Sequence, residues 1–138
     1  MEIRFDNKVV VITGGSSGIG LAAVALFLEA GAIVYNLDLH EAEYEIPGVS
    51  FLKCDMSDYQ QVSSQIAVIL EKHKQIHHAF LNAGVHQVGN VEDLELDVID
   101  KVIDINIKGV IYGLKSILPS MRKHQQGSIV LMGSDQSY

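Results

Sequence analysis

Apolar residues are distributed along this chain in two alternating patterns. Short continuous runs rich in Val and Ile predict strands that are buried on both faces. Segments in which apolar residues recur three and four positions apart predict helices with one buried face. The alternation of the two patterns predicts an α/β fold with a parallel sheet. The strands are expected at residues 8–13, 33–38, 49–54, 77–82 and 127–132.

Helical periodicity follows three of these runs. It predicts helices over residues 18–29 and 97–123, and a third helix after Asp58, whose carboxylate is placed to cap it. Residues 39–48 are rich in Glu and include a Pro-Gly pair, which predicts a solvated loop with little room for a helix. We expect one domain over residues 1–138, which is long enough to bury a sizeable core.

Composition restricts the class of protein. The 138 residues are 48% hydrophobic and carry a formal net charge of −7, which disfavours a nucleic-acid backbone as partner. No apolar stretch approaches the ~18 residues of a membrane helix, and residues 1–6 lack the pattern of a secretory signal. The single cysteine, Cys54, favours a reducing cytoplasm and is expected to be a small buried residue.

A glycine-rich octet at residues 13–20 separates the first predicted strand from the first predicted helix. Glycines permit a tight exit from the strand and a close approach of the backbone to a ligand. The helix directs its free N–H groups and positive dipole end at the octet, which favours a bound phosphate. The alternative is a glycine-rich turn without a ligand. The candidate phosphate-binding residues are Gly14, Ser16, Ser17, Gly18, Ile19 and Gly20.

Asp38 ends the second predicted strand, close to the distance from the octet at which an acid meets the adenosine ribose. Its carboxylate would accept hydrogen bonds from the ribose hydroxyls and repel a 2′-phosphate. No Arg or Lys lies in the octet or just after Asp38 to bind that phosphate. Asp38, with the following Leu39, therefore predicts NAD rather than NADP. The alternatives are an Asp that only ends a strand and a methyltransferase, which also uses an acid here.

The octet and a second motif, Asn82-Ala83-Gly84, together resemble the short-chain dehydrogenase/reductase family. The resemblance implies a Rossmann-type doubly wound parallel sheet with strand order 3-2-1-4-5. It also implies an enzyme that moves a hydride between a nicotinamide cofactor and a small-molecule alcohol or ketone. By the same resemblance, Asn82, Ala83 and Gly84 pass beside the adenosine. Asp55 is expected to bond the adenine amino group, with Met56 near the ring.

The resemblance assigns two catalytic positions. Asn106 interrupts an apolar helical segment with an amide, which is expected to be buried and to need partners. In the family, an Asn in this context kinks the helix and holds a water of the proton relay; a purely structural Asn is the alternative. Ser134 follows the last predicted strand, where the family places the serine that polarises the substrate oxygen. A Ser after a strand is otherwise a turn former.

The family's catalytic Tyr-x-x-x-Lys does not occur in these 138 residues. Tyr138 follows Ser134 too closely to reach the expected helix position, so no catalytic role is predicted for it. The simplest interpretation is the N-terminal portion of a longer NAD-dependent oxidoreductase, inactive without the rest. If the chain truly ends at Tyr138, the alternative is a non-catalytic dinucleotide-binding or interaction module.

The histidines do not predict a metal site. His73, His77, His78 and His86 fall on a helix, a turn, a strand and a loop, without the fixed spacing of metal ligands.

The predicted helix over residues 97–123 bears on assembly. It carries more apolar residues than one buried face needs. The helix is either sunk deeply within one domain or part of a subunit interface. The resemblance favours the interface, and hence a homodimer or homotetramer.

Overall fold

The computed structural model describes residues 3–134. Within them, the strands form one parallel sheet in the order β3-β2-β1-β4-β5. The predicted fold class and strand order are confirmed. Each strand begins or ends within two residues of its predicted bounds. The strands are β1 (Val9–Thr13), β2 (Ile33–Asp38), β3 (Ser50–Lys53), β4 (His78–Leu81) and β5 (Ser128–Leu131).

Helices cover both faces of the sheet. Helix α1 (Gly18–Glu29) packs on one face, and α2 (Tyr59–His73) and α4 (Gly109–His124) pack on the other. The predicted cap of α2 is present, because the Asp58 carboxylate accepts hydrogen bonds from the backbone N–H groups of Gln60 and Gln61, at 2.9 and 3.3 Å. The helices are α1 (Gly18–Glu29), α2 (Tyr59–His73), α3 (Leu96–Ile103) and α4 (Gly109–His124), with a 3-10 turn at Val91–Asp93.

Strand β1 lies at the centre of the sheet, and all of its residues are buried. Successive side chains point to opposite faces, so Val10 and Ile12 join the core under α1. Val9 and Val11 join the core under α2 and α4. A strand covered on both sides has no polar face, which explains its unbroken apolar run.

Two segments test the predicted helices in detail. Residues 39–49 contain no helix, as predicted. The prediction of a single helix over residues 97–123 was wrong in one respect. The segment is divided into α3 and α4, which are joined by a wider π-helical turn, Asp104–Lys108. In such a turn the backbone hydrogen bonds span five residues rather than four. Here the turn contains Asn106, whose side chain bonds to a neighbouring segment as described below.

Candidate functional site

A cleft of about 470 Å³ opens at the carboxyl ends of the central strands. A second groove of about 460 Å³ lies beside α1, but its lining is mostly apolar and lies away from the strand ends. In parallel α/β sheets, ligands bind outside the carboxyl ends of the strands, so the first cleft is the candidate site. Of the predicted cofactor residues, its lining includes Gly14, Ser17, Gly18, Ile19, Asp38, Leu39, Asp55, Met56, Asn82, Ala83 and Gly84.

The glycine octet forms the inner wall of the cleft. Gly14 has a φ of +68°, and a Cβ there would lie 2.9 Å from the Ala83 Cα. A Cβ on Gly20 would overlap the carbonyl oxygen of Gly14 and lie 2.6 Å from the Asn82 Nδ2. Ser17, the N-cap of α1, makes no side-chain capping bond, which leaves first-turn N–H groups for a ligand. These features fit a phosphate-binding loop.

The opposite side of the octet is fixed to β2 by side chains as well as backbone. The Asn36 Oδ1 accepts a hydrogen bond from the Gly15 N–H at 2.8 Å, and the Asn36 Nδ2 donates to the Ser16 Oγ at 2.9 Å. The hydroxyl of Ser16 is therefore held against Asn36, and Ser16 does not line the cleft. Ser16 was predicted to bind phosphate, and that role stays a prediction. Asn36 was not predicted at all.

Asp38 stands at the rim of the cleft with both oxygens oriented by backbone N–H groups. Its Oδ2 accepts from the Ser16 N–H at 3.1 Å, and its Oδ1 accepts from the Leu39 N–H at 2.7 Å. Each carboxylate oxygen can accept more than one hydrogen bond, so acceptor capacity remains for a ligand. Asp38 thus combines a fixed orientation with access to the cleft.

Asp55 and Met56 form the wall of the cleft after β3. The Asp55 Oδ1 accepts hydrogen bonds from the Ser57 N–H at 2.9 Å and from the Ser57 Oγ at 2.6 Å. Met56 is buried. Cys54 also lines the cleft and is buried, as predicted. Burial, with the nearby carboxylates of Asp55 and Asp58, raises the pKa of the Cys54 thiol to about 11, so the thiol stays protonated near neutral pH.

The Asn82-Ala83-Gly84 motif ties β4 to the octet. The Thr13 hydroxyl oxygen accepts hydrogen bonds from the N–H groups of Asn82 and Ala83, both at 3.0 Å. The Asn82 Nδ2 donates to the carbonyl oxygens of Thr13 and Gly14, both at 3.2 Å. The Asn82 side chain therefore stabilises the strand ends, while the backbone of the motif borders the cleft.

Asn106 is placed differently from its prediction. It is exposed rather than buried, although it does have partners. Its Oδ1 accepts from the Val85 N–H at 2.8 Å, and its Nδ2 donates to the Val85 carbonyl oxygen at 2.9 Å. The π-helical turn is thereby joined to the segment that leaves Gly84.

Ser134 follows β5, is exposed and does not line the cleft. Tyr138 lies outside the described residues.

Several residues that sequence reasoning missed also line the cleft. Lys101 and Ile105 come from the helix that follows the β4 loop, and His40 follows Leu39. Lys101 and Ile105 are four positions apart, so they share one helical face. That spacing in the sequence could have indicated that Lys101 and Ile105 line the same surface. It was missed because the apolar residues of this helix were assigned only to the core or to an interface.

No metal site or membrane segment emerges from the part of the chain that is described. In residues 3–134, no three His, Cys, Asp or Glu side chains come together to hold a metal ion. In the same residues, no helix has the length and apolar character needed to span a membrane.

Comparisons with known proteins agree with this geometry. Residues 8–138 match the profile of the family described as short chain dehydrogenase. Short-chain dehydrogenase reductase 5 of Arabidopsis thaliana is 36% identical over 136 residues, covering 92% of this chain and 52% of the relative. The solved structure of gox2181 aligns with a TM-score of 0.90 at 29% identity, covering 96% of this chain and 56% of that one. A levodione reductase structure aligns with a TM-score of 0.85 at 31% identity, covering 95% and 55%.

The chain spans about half the length of the curated relatives it matches. The family profile nevertheless covers almost all of these 138 residues. The strand order and the glycine octet agree with that match. The chain belongs to the short-chain dehydrogenase family.

Proposed function

We propose that the protein is an oxidoreductase that transfers a hydride between NAD and an alcohol or carbonyl carbon of a small molecule. The observation that carries this proposal is the cleft itself, where a glycine octet with free first-turn N–H groups faces an oriented Asp38. Family membership supports oxidoreduction. The similarity to a levodione reductase supports a carbonyl substrate.

Different residues of the cleft bind different parts of the cofactor. The octet holds the pyrophosphate at the start of α1, and Asp38 accepts hydrogen bonds from the adenosine ribose. Asp55 and Met56 hold the adenine, and Asn82, with Ala83 and Gly84, borders the adenosine half. When bound, NAD supplies or accepts the hydride at its nicotinamide ring. The chain's own contribution is to bind and orient it.

The catalytic half of the proposal uses Ser134 and Asn106. Ser134 would donate its hydroxyl to the substrate oxygen, and Asn106 would hold a water of the proton relay. An amide oxygen has two lone pairs, so the Asn106 Oδ1 keeps one acceptor site besides its bond with the Val85 N–H. We place the Tyr-x-x-x-Lys that moves the proton in sequence beyond these 138 residues.

A binding comparison tests the cofactor. We expect the full-length protein to bind NADH at least tenfold more tightly than NADPH, a difference of about 1.4 kcal/mol. Asp38→Ala should abolish most of that preference. Glu43→Ala, which removes an exposed acid outside the cleft lining, should leave it intact. Equal affinities of the wild-type protein for NADH and NADPH would refute the role of Asp38.

A second candidate is a non-catalytic dinucleotide-binding module. The cleft and the glycine octet also suit this candidate, because binding a dinucleotide needs nothing more than these features. Turnover separates the two candidates, because an enzyme oxidises NADH in the presence of ketones whereas a module binds NADH without consuming it. Sequencing of the gene past the codon for Tyr138 gives the same distinction.

We also propose a cytoplasmic homodimer or homotetramer that assembles through α3 and α4. Ile103, Ile107 and Ile111 recur every four residues along this helical segment, and they are 41%, 56% and 52% exposed. Ile107→Glu should shift the full-length protein towards monomer in sedimentation at micromolar concentration. Val68→Glu, at a comparably exposed apolar position of α2, should not. A wild-type monomer would refute the interface.

A further inference from the structure

Asn36 occupies an unusual position for an amide. It lies in the interior of β2, is 2% exposed, and is close along the strand to Val34 and Leu37, which are fully buried. An amide buried in a sheet costs free energy unless its polar atoms find partners. Both of its side-chain partners lie in the glycine octet and neither lies in the sheet. The octet is therefore what makes this residue tolerable in β2.

The bonds of Asn36 are part of an ordered set. Three consecutive N–H groups of the octet donate to three consecutive residues of β2. The Gly14 N–H donates to the Leu37 carbonyl oxygen at 2.9 Å, the Gly15 N–H donates to Asn36, and the Ser16 N–H donates to Asp38. Three residues of the octet, Gly14, Gly15 and Ser16, are thus bonded to β2. The donors left for a phosphate are those from Ser17 onward.

The space around Gly15 shows how closely the octet lies on Asn36. A Cβ at Gly15 would lie 2.5 Å from the Asn36 Oδ1 and 2.9 Å from the Val24 Cγ2. The backbone of the octet is therefore in direct contact with the amide. A side chain of different shape at position 36 would move the octet.

We propose that Asn36 is a positioning residue for pyrophosphate binding, a role that rests on the proposed function of the cleft. Asn36 does not line the cleft and does not touch the cofactor. It holds Gly15 and Ser16 against β2, and so keeps the N–H groups at the start of α1 directed into the cleft. Of the three anchors, it is the one side chain without a separate role towards the ligand, since Leu37 uses its backbone and Asp38 contacts the ribose.

The neighbouring residue provides a matched control. Tyr35 is 5% exposed, lies on the same strand and points to the opposite face of the sheet. Its hydroxyl bonds to the His73 Nε2 at 2.7 Å, remote from the octet. Tyr35→Phe therefore removes a partly buried hydrogen bond from β2 without releasing the octet.

The test uses the full-length protein and compares ADP, NADH and adenosine by isothermal titration. Asn36→Leu should weaken the binding of ADP and NADH by about tenfold or more and leave adenosine within twofold, because adenosine lacks the pyrophosphate. Asn36→Ala, with a smaller side chain, should show the same split if the Leu variant does not fold. Tyr35→Phe should lower the melting temperature without changing any of the three affinities.

Two results would overturn the role of Asn36. One is an Asn36→Leu protein that binds ADP as tightly as the wild type does. The other is an equal loss for adenosine and ADP, which would indicate general damage to the cleft. Failure of the wild-type protein to bind either ADP or NADH would refute the proposed function itself, and with it this role.

Discussion

The carboxyl edge of the sheet carries the candidate ligand cleft, whereas side chains at the amino edge bond within the fold. At the carboxyl edge, the octet and the Asn82 motif form loops that surround a cleft. At the amino edge, histidine side chains form hydrogen bonds with other groups of the protein. The Val9 N–H donates to the His77 Nδ1 at 3.0 Å, and the His78 Nδ1 lies 2.6 Å from the Ser128 Oγ. The His124 Nδ1 lies 2.9 Å from the Ser120 carbonyl oxygen.

Helix direction explains the difference. Helix α1 begins at the carboxyl edge and offers N–H groups there, whereas α2 and α4 end near the amino edge with carbonyl groups. Basic residues occupy those last turns, Lys72 and His73 in α2 and Arg122, Lys123 and His124 in α4. Cations are favoured at helix C-termini and anions at N-termini. An anionic ligand is therefore favoured at the carboxyl edge, where α1 begins.

The largest effect should come from filling the octet. Gly20→Ala places a Cβ against the Gly14 carbonyl oxygen and the Asn82 Nδ2. Overpacking of this kind costs about 1–3 kcal/mol of folding stability. The shift that relieves it moves the octet, so NADH affinity should fall by about tenfold or more. The matched control is Gly133→Ala, since a Cβ there meets nothing within 4 Å. NADH affinity within threefold of the wild type in Gly20→Ala would contradict a close-fitting octet.

A smaller effect is expected from Lys101, which brings a positive charge to a cleft that also carries Asp38 and Asp55. Lys101→Met should weaken NADH binding by about twofold to fivefold, because an exposed charge interaction contributes about 0.5–1 kcal/mol. The loss should shrink at high ionic strength. Lys108→Met is the control, since Lys108 pairs with Asp104 at 2.7 Å and does not line the cleft. An affinity loss that does not change with salt would argue against an electrostatic role.

The sequence was sufficient for the parts of the molecule that depend on local patterns. The apolar runs predicted the strands, and the octet and Asp38 were placed at neighbouring strand ends because parallel strands share one carboxyl edge. The cap at Asp58 was predicted from a spacing of three residues. In each case, the residues that define the feature are close together in the chain or follow from the strand order.

The features that were missed depend on pairs distant in the chain. In the sequence, Asn36 is a polar residue within an apolar run, with no local sign of its role. Its hydrogen-bond partners Ser16 and Gly15 lie 20 and 21 positions away. Asn106 was expected to be buried because its neighbours are apolar, but its partner Val85 lies 21 positions away and holds it at the surface. Periodicity reports which face of an element is buried. It does not indicate which loop, distant in the chain, packs against that element.

The smallest expected effect lies at the amino edge and concerns stability rather than binding. Burial, with the positive charges of Lys8, His78 and His124, lowers the pKa of His77 below its ordinary value of 6.5. The folded protein therefore binds fewer protons than the unfolded chain as the pH falls below 6.5, so the free energy of unfolding decreases on acidification. Protonation of the Nδ1 would also remove the acceptor for the Val9 N–H.

His77→Asn tests this sign, because the Asn oxygen accepts the same hydrogen bond but does not titrate. Urea unfolding at pH 7.5 and pH 5.5 should show a smaller acid loss in this variant than in the wild type, with some loss remaining because burial also lowers the pKa of His78. His86→Asn is the control, since His86 is exposed in the loop after Gly84. If His77→Asn and His86→Asn reduce the acid loss equally, the amino edge has no special part in it. The contrast between the two edges would then rest on the ligand cleft alone.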